Sequence, residues 1–480
     1  PEQLASISAA VSADGTVVSI EDRGPIEAGA FPRKWMRVAR DAFNGITLWQ
    51  REVGRGGGHL HLCRAGRAHG SRRLGAVGAR VYVTLSLGGP VEMLDAAAGE
   101  TLKAFDGTEG ADEIVHAGAL LLVYVGHTGR DLAKSRRQGK DNIDNVSRKL
   151  MALHPVSGEI AWEKNVLGLC HTTLGALGPR AFYQEGNCVV AVAMEDGKEH
   201  WRSEPLSRFR AQPPTLVGHG STILWADGVD PRKKSKNSPG MMAGLDAATG
   251  RTLWTGTSEN NCAISPDVLV ADGLVWTGKL LLWNQPGITE GLDPKTRKVA
   301  RTREPDWETF NVGMPHHRCY RNKGASKWLI LARAGVEFLN VETGEIFPSH
   351  WTRGTCQYGI LPANGLLYVP PHACACYLTA KINGFYALRP IRQSDSTKAA
   401  PGTPLVRGPA YGEIGENAAA VADSDWPTYR RDSSRSGRTA CDVPDDLKQS
   451  WKADIGGNLT ALTIAGDRCF VADDAHAVHA

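Results

Sequence analysis

Ala243-Gly244-Leu245-Asp246-Ala247-Ala248-Thr249-Gly250-Arg251-Thr252-Leu253-Trp254 is the stretch that decides how the chain is built. It opens on a short apolar run, turns at Asp246 and Gly250, and closes on a second run tipped by Trp254. Asp can accept hydrogen bonds from its own downstream backbone, and Gly can take the positive φ of a tight turn. The phrase therefore reads as two antiparallel strands joined by a turn. It recurs at Asp41, Gly45 and Trp49, at Asp95 and Gly99, and at Gly158 and Trp162. Weaker copies stand at Gly197 and Trp201, at Asp293, and at Asn340 with Gly344; near Tyr386 only the strand remains.

The copies return after about 40 to 60 residues, the length of a four-stranded propeller blade rather than of a helical solenoid unit. Residues 77–85, 117–125 and 271–278 supply further strands, each with Gly just ahead of an apolar β run. A Trp at the end of the last strand is large enough to wedge against the neighbouring sheet. Tandem β-sandwiches would explain the alternation but not a turn and a Trp that travel together. The expected fold is all-β, a β-propeller of about eight four-stranded blades.

Composition narrows the function. With 55 Lys and Arg against 51 Asp and Glu, the net charge is +4, which argues against nucleic acid as the main partner. A hydrophobic content of 42% excludes global disorder. No run of 18 apolar residues is present, so no helix is expected to span a bilayer. Ten Cys in 480 residues are too dilute for a disulfide scaffold. The chain starts at Pro1 without Met and stops in a strand-like run, as a fragment would. The expected organisation is a propeller over 1–390, a linker rich in Ser, Ala, Pro and Gly over 391–425, and a segment over 426–480 that starts a further propeller or closes the first. Residues 51–73 show no clear β pattern, and the charge runs around Arg136 and Lys233 read as solvated loops.

The Asp-Ala-x-Thr-Gly-x-x-x-Trp phrase resembles the pyrroloquinoline quinone (PQQ) repeat, shared by quinoprotein alcohol dehydrogenases and by non-enzymatic propellers such as the outer-membrane assembly lipoprotein. Residues 425–437 are similar to the segment that opens many such propellers. The blocks 315–323, 353–368 and 370–377 resemble a planctomycete set of large PQQ-like repeat proteins. In the dehydrogenases the resemblance implies a quinone between a Trp floor and a disulfide of adjacent Cys, with calcium and an Asp base. This sequence departs from that set: Cys374 and Cys376 are separated by Ala375, and neither an Asp-Tyr-Asp phrase nor a Cys-x-x-Cys-His haem motif is present. Those departures count against PQQ as a cofactor.

One group of chemistry-bearing residues stands out from the scaffold: His316, His317, Cys319, Cys356, His372, Cys374 and Cys376, with Arg318, Arg353, Gln357 and Tyr358 among them. Cys and His suit zinc or copper. On a regular strand His372, Cys374 and Cys376 share a face at roughly 6.5 to 7 Å spacing, so adjacent pairs, but not the outer two, could share one ion. The competing reading is buried apolar cysteines or a disulfide such as Cys356 with Cys374. His59, His61, Cys63 and His69 form a weaker group without a supporting pattern, and His171, beside Cys170, reads as a satisfied core histidine. The Gly56, Gly57, Gly58 run lacks the Lys and Ser/Thr of a phosphate loop.

These features lead to two expectations. The first is a non-catalytic propeller outside the cytoplasm, binding a protein, small-molecule or carbohydrate ligand at one face. The second is a PQQ- or metal-dependent oxidoreductase with its site at 315–377. Location outside the cytoplasm is implied by the resemblance.

Overall fold

The computed structural model describes residues 6–23, 34–53, 71–86, 88–126, 148–206, 213–228, 240–258, 265–279, 285–305, 320–333, 335–355, 358–371, 382, 384–390, 422–428, 430–432, 434–442, 444–466, 468–474 and 477–480. The chain divides into two compact units, Pro1–Pro390 and Ile391–Ala480. Among the described residues the only helical element is a 3-10 turn at Ser71–Arg73, and no helix is long and apolar enough to cross a membrane.

Among the described residues the first unit shows eight successive sheets. Sheet 1 holds β1 (Ser6–Ala13), β2 (Thr16–Asp22), β3 (Trp35–Asp41) and β4 (Thr47–Glu52). Sheet 2 holds β5 (Leu74–Val77), β6 (Arg80–Val83), β7 (Val91–Asp95) and β8 (Thr101–Phe105), and sheet 3 holds β9 (Ala111–Ala117), β10 (Leu120–Val125), β11 (Arg148–Leu153) and β12 (Ile160–Val166). Sheet 4 runs from β13 (Gly175–Leu177) through β14 (Arg180–Glu185) and β15 (Cys188–Ala193) to β16 (Glu199–Arg202). Sheet 5 contains β17 (Thr215–His219), β18 (Thr222–Asp227), β19 (Gly240–Asp246) and β20 (Thr252–Ser258). Sheet 6 contains β21 (Leu269–Ala271), β22 (Leu274–Lys279), β23 (Gly287–Leu292) and β24 (Val299–Thr302). Sheet 7 is β25 (Lys323–Gly324), β26 (Trp328–Leu331), β27 (Val336–Asn340) and β28 (Ile346–Ser349). Sheet 8 shows three strands, β29 (Leu361–Ala363), β30 (Leu366–Val369) and β31 (Tyr386–Leu388). In every sheet the strands are antiparallel and adjacent in chain order.

The core explains why the strands read as continuous apolar runs. In β18, Ile223 and Trp225 pack with Phe182 and Val189 of sheet 4, while Leu224 and Ala226 pack with Val268 and Val275 of sheet 6. Side chains alternate with period two, so a sheet clasped on both faces has no polar side to show. Each sheet is clasped in this way, and the final cluster joins Tyr368 of sheet 8 to Ala10 and Val17 of sheet 1. The ring closes. First strands lie innermost, with β1 beside β5, β5 beside β9, β9 beside β13 and β29 back beside β1.

The repeated phrase forms the joints. The Oδ1 atoms of Asp41, Asp95, Asp246 and Asp293 each accept backbone N–H bonds from residues two and three positions on. Each turn also donates one main-chain N–H back, as from Gly250 to the Asp246 carbonyl at 2.8 Å. From the preceding sheet, an indole N–H then donates to the carbonyl of the first residue of the turn. Trp49 meets Ala96 (2.8 Å), Trp162 meets Met194 (2.8 Å), Trp201 meets Ala247 (3.1 Å) and Trp254 meets Pro294 (2.9 Å). The turn glycine is required for this closeness: Gly250 has φ +73°, and a Cβ there would lie 2.2 Å from the Trp201 ring.

Four joints lack the expected Trp; in sheet 7 Pro348 stands at its position, and the other three have substitutes. Lys103 occupies the Trp position of sheet 2. There Phe105 packs under Gly158, and the Tyr82 hydroxyl donates to the Pro155 carbonyl at 3.2 Å. Arg301 replaces Trp in sheet 6 and donates to the Val341 carbonyl at 3.0 Å. At ring closure Tyr368 donates to the Ala42 carbonyl at 2.8 Å. Tyr82 and Tyr368 are each the third residue of a second strand, so the hydroxyl reaches from inside the sheet to the same class of acceptor.

The second unit contains β32 (Thr463–Ala465), β33 (Arg468–Ala472) and β34 (Val478–His479) in one sheet. Trp426 and Ile464 exchange backbone hydrogen bonds at 2.9 and 3.0 Å.

Candidate functional site

Antiparallel order in each sheet divides the first unit into two faces. Hairpins between first and second strands and the Asp-to-Gly turns between third and fourth strands share one face, here the turn face. Second-to-third connections and the passages between sheets share the other, the connection face. Turn-face links are short, as in the two-residue hairpin Asp14-Gly15; connection-face links vary, from two residues between Glu185 and Cys188 to the long stretch between Val125 and Arg148.

On the connection face the innermost strands begin with charged residues that are buried rather than solvated. In the 3-10 turn ahead of β5, Arg72 and Arg73 both reach Asp112 at the start of β9. Arg72 stands 3.5 Å from Asp112 Oδ1 and 3.8 Å from Glu113 Oε2, while Arg73 makes a direct ion pair with Asp112. From the passage before β13, His171 Nδ1 lies 3.4 Å from Asp112 Oδ2, and the Thr172 N–H donates to Glu113 at 3.0 Å. Tyr124 stands edge-on to His171 and accepts from Arg148 at 3.2 Å. Sheets 2, 3 and 4 are thus tied by charge at the rim. Burial raises the Glu113 carboxyl to about 7, against the pull of Arg72.

A second cluster joins sheets 5 to 8. Asp267, ahead of β21, accepts Arg321 Nε at 2.9 Å, and its other oxygen accepts both the main-chain N–H and the side-chain amide of Asn322, at 3.1 and 2.8 Å. Arg321 also donates to Thr215 Oγ1 at 3.0 Å. Next to Asn322, Lys323 on β25 holds its ammonium 5.3 Å over the Tyr358 ring. The Tyr358 hydroxyl donates to the Ala10 carbonyl on β1. Burial, and then the nearby Arg321, lower the Lys323 amine to about 8.

His316, His317, Cys319, Cys356, His372, Cys374 and Cys376 lie outside the described residues, as do Arg318, Gln357 and the His59, His61, Cys63, His69 group. Arg353 and Tyr358 are described: Arg353 is buried, and Tyr358 is the residue under Lys323. Cys170 is buried, and His171 is a buried residue facing Asp112 across a sheet boundary. Of the 51–73 segment, Arg51 and Glu52 finish β4 and Arg72 and Arg73 are buried in the ion-pair cluster, while residues 54–70 lie outside the described residues. Among the described residues no group of three or more His, Cys, Asp or Glu could hold a metal ion. Sequence reading passed over Asp112, Glu113, Asp267 and Lys323. The signal available was their common place: a charged residue at or just before an apolar first strand.

Residues 146–305 match the family described as the outer membrane protein assembly factor BamB. Among curated proteins none matches. Solved structures that resemble the chain include the computationally designed Ika8 protein, 12% identical over 76% of this chain and 93% of that one, with a TM-score of 0.48. BamB from Moraxella catarrhalis is 13% identical over 76% and 80%, with a TM-score of 0.36. The quinohemoprotein alcohol dehydrogenase ADHIIG from Pseudomonas putida HK5 is 12% identical over 76% and 69%, with a TM-score of 0.43. Over residues 146–305 the chain is similar to that family, and with the same turn and joint on either side of the match the first unit is an all-β propeller.

Proposed function

We propose that this propeller is a non-catalytic binding scaffold that works outside the cytoplasm and receives a protein or small ligand on its connection face. The observation that carries this reading is the mutual commitment of the rim charges. Asp112 is shared by Arg72, Arg73 and His171, and Asp267 by Arg321 and Asn322. Such pairs, formed across sheet boundaries, hold a polar surface in fixed shape and suit recognition. Acid–base catalysis instead asks for a titratable group within reach of a substrate proton. The location follows from the family resemblance, and residues 426–480 are proposed to start a further propeller.

The test is an absorbance scan and metal analysis of protein purified without chelator, followed by titration with PQQ and a dye-linked alcohol oxidation assay. The scaffold reading expects no quinone uptake and no turnover. Quinone uptake together with alcohol-dependent dye reduction would establish the oxidoreductase instead. Stoichiometric copper or zinc, lost on replacing Cys374 and Cys376 by Ser, would assign a metal to the 315–377 group.

A further inference from the structure

The position of Lys323 differs from that of Arg72, Arg73 and Arg321. Arg72, Arg73 and Arg321 each face a carboxylate across a sheet boundary. Lys323 faces an aromatic ring. Asp267, whose oxygens accept Arg321 Nε and both N–H groups of Asn322, makes no ion pair with it. Among the described residues the Lys323 ammonium has neither a hydrogen bond nor an ion pair. The Tyr358 hydroxyl cannot turn to it, because that hydroxyl is spent on the Ala10 carbonyl.

The location makes this uncompensated charge informative. Lys323 lies on the first, innermost strand of sheet 7, paired through β26 on one side only, opposite Ile330. Its neighbours are Tyr358, on the passage into sheet 8, and through it β1 of sheet 1. The side chain keeps part of its surface in contact with solvent although protein encloses it. An enclosed cation that still meets water beside the axis of a ring faces the channel. Burial, and then the charge of Arg321, disfavour the ammonium there, which is why the amine is held down to about 8 against the pull of Asp267.

We propose that Lys323 is the anion-recognition point of the channel, with the Tyr358 ring as its wall, and that it takes a small ligand bearing a carboxylate or phosphate group. This rests on the binding-propeller reading and names the ligand chemistry. The ligand supplies the ion pair that Lys323 lacks among the described residues, and the flat face of Tyr358 packs against its body. Arg321, held by Asp267 and Thr215, adds positive potential without competing for the contact.

The experiment follows Lys323 in the whole chain by amine acetylation and peptide mass spectrometry at mildly alkaline pH, with succinate, inorganic phosphate or sodium chloride at matched ionic strength. Lys323 is expected to react faster than the exposed lysines, because more of it is unprotonated, and to be protected several-fold by succinate or phosphate but not by sodium chloride. Protection by one anion alone identifies carboxylate or phosphate as the chemistry. Reaction no faster than that of exposed lysines, or equal in all three salts, overturns the proposal. In parallel, Lys323→Met is expected to melt no lower than the parent chain and to lose the rise in melting temperature that the anion gives. A variant that melts markedly lower would make the amine structural and would also overturn it. Quinone turnover would end the scaffold reading while leaving the labelling result standing. Absence of both turnover and protection would leave a binding propeller without this site.

Discussion

The turn face and the connection face are made by the same strands, yet they are held by different chemistry. On the turn face, carboxylates cap their own turns in solvent and the joints are indole, phenol or guanidinium groups reaching a main-chain carbonyl. On the connection face, arginines and carboxylates are buried against each other between sheets. A local turn with one reaching side chain can be copied along a chain, because each copy needs only its neighbour. A buried ion pair needs a matched partner in another sheet and differs at each boundary. The repeat therefore assembles the ring from one side and leaves the other side free to become specific.

The largest expected effect breaks a turn-face joint. Trp201→Ala removes a buried ring and leaves the Ala247 carbonyl without its donor, and should lower unfolding free energy by about 3 to 5 kcal/mol in denaturant titration. On the other face Asp112→Ala should cost a similar amount, about 3 to 5 kcal/mol, because Arg72 and Arg73 would stay buried without the carboxylate they share. Equal losses would mean that the irregular face is as structural as the repeated one; a negligible loss at Asp112 would make its pairs ornamental. Next comes Gly250→Ala, which meets both a left-handed backbone and the Trp201 ring and should cost about 2 to 4 kcal/mol, whereas Gly78→Ala, with open space around it, should cost only about 1 to 2. The contrast between those two glycines separates backbone strain from the closeness of the joint.

A pH profile sharpens the comparison further. The Glu113 carboxyl titrates near its ordinary 4.5 in the unfolded chain and at about 7 in the folded one. Between those values the folded chain keeps a proton that the unfolded chain has released, so stability falls as pH rises through the window. Glu113→Gln should flatten that slope, measured as melting temperature against pH; an unchanged slope would place the proton elsewhere. The smallest effect is at a flaw in the repeat. Arg297 holds φ +59° where the other turns place Gly, and Arg297→Gly should stabilise the chain by up to about 1 kcal/mol, or at least leave it unharmed.

These two faces also explain what could be read in advance. The turn-and-Trp phrase announced the propeller because its whole mechanism fits within a dozen consecutive residues. Tyr82 and Tyr368 were not legible as joints, since their acceptors lie 73 and 326 residues away and a Tyr in a strand is ordinary β composition. Asp112 escaped for the same reason, and His171 was legible as a core histidine but not as the partner of Asp112 until the ring brings sheets 3 and 4 together. The His and Cys residues between 316 and 376 attracted notice by composition. They lie outside the described residues; the described rim carries Lys, Arg, Asp, Glu and His171, mostly at or near the start of an apolar strand, where a charge reads as a strand terminus.

The account depends most on the closure that gives every sheet two partners and the molecule two unlike faces. Ser12 and Asn364 meet at that seam, with the Asn364 side-chain amide 2.8 Å from the Ser12 hydroxyl. The direct measurement is oxidative cross-linking of the chain carrying Ser12→Cys and Asn364→Cys, read by peptide mass spectrometry. A closed ring predicts a disulfide joining positions 12 and 364 within one chain, formed at dilute protein and absent after unfolding. Thiols at both positions that stay freely alkylated in the folded protein would contradict the closure, and with it the division into a repeated face and a specific one.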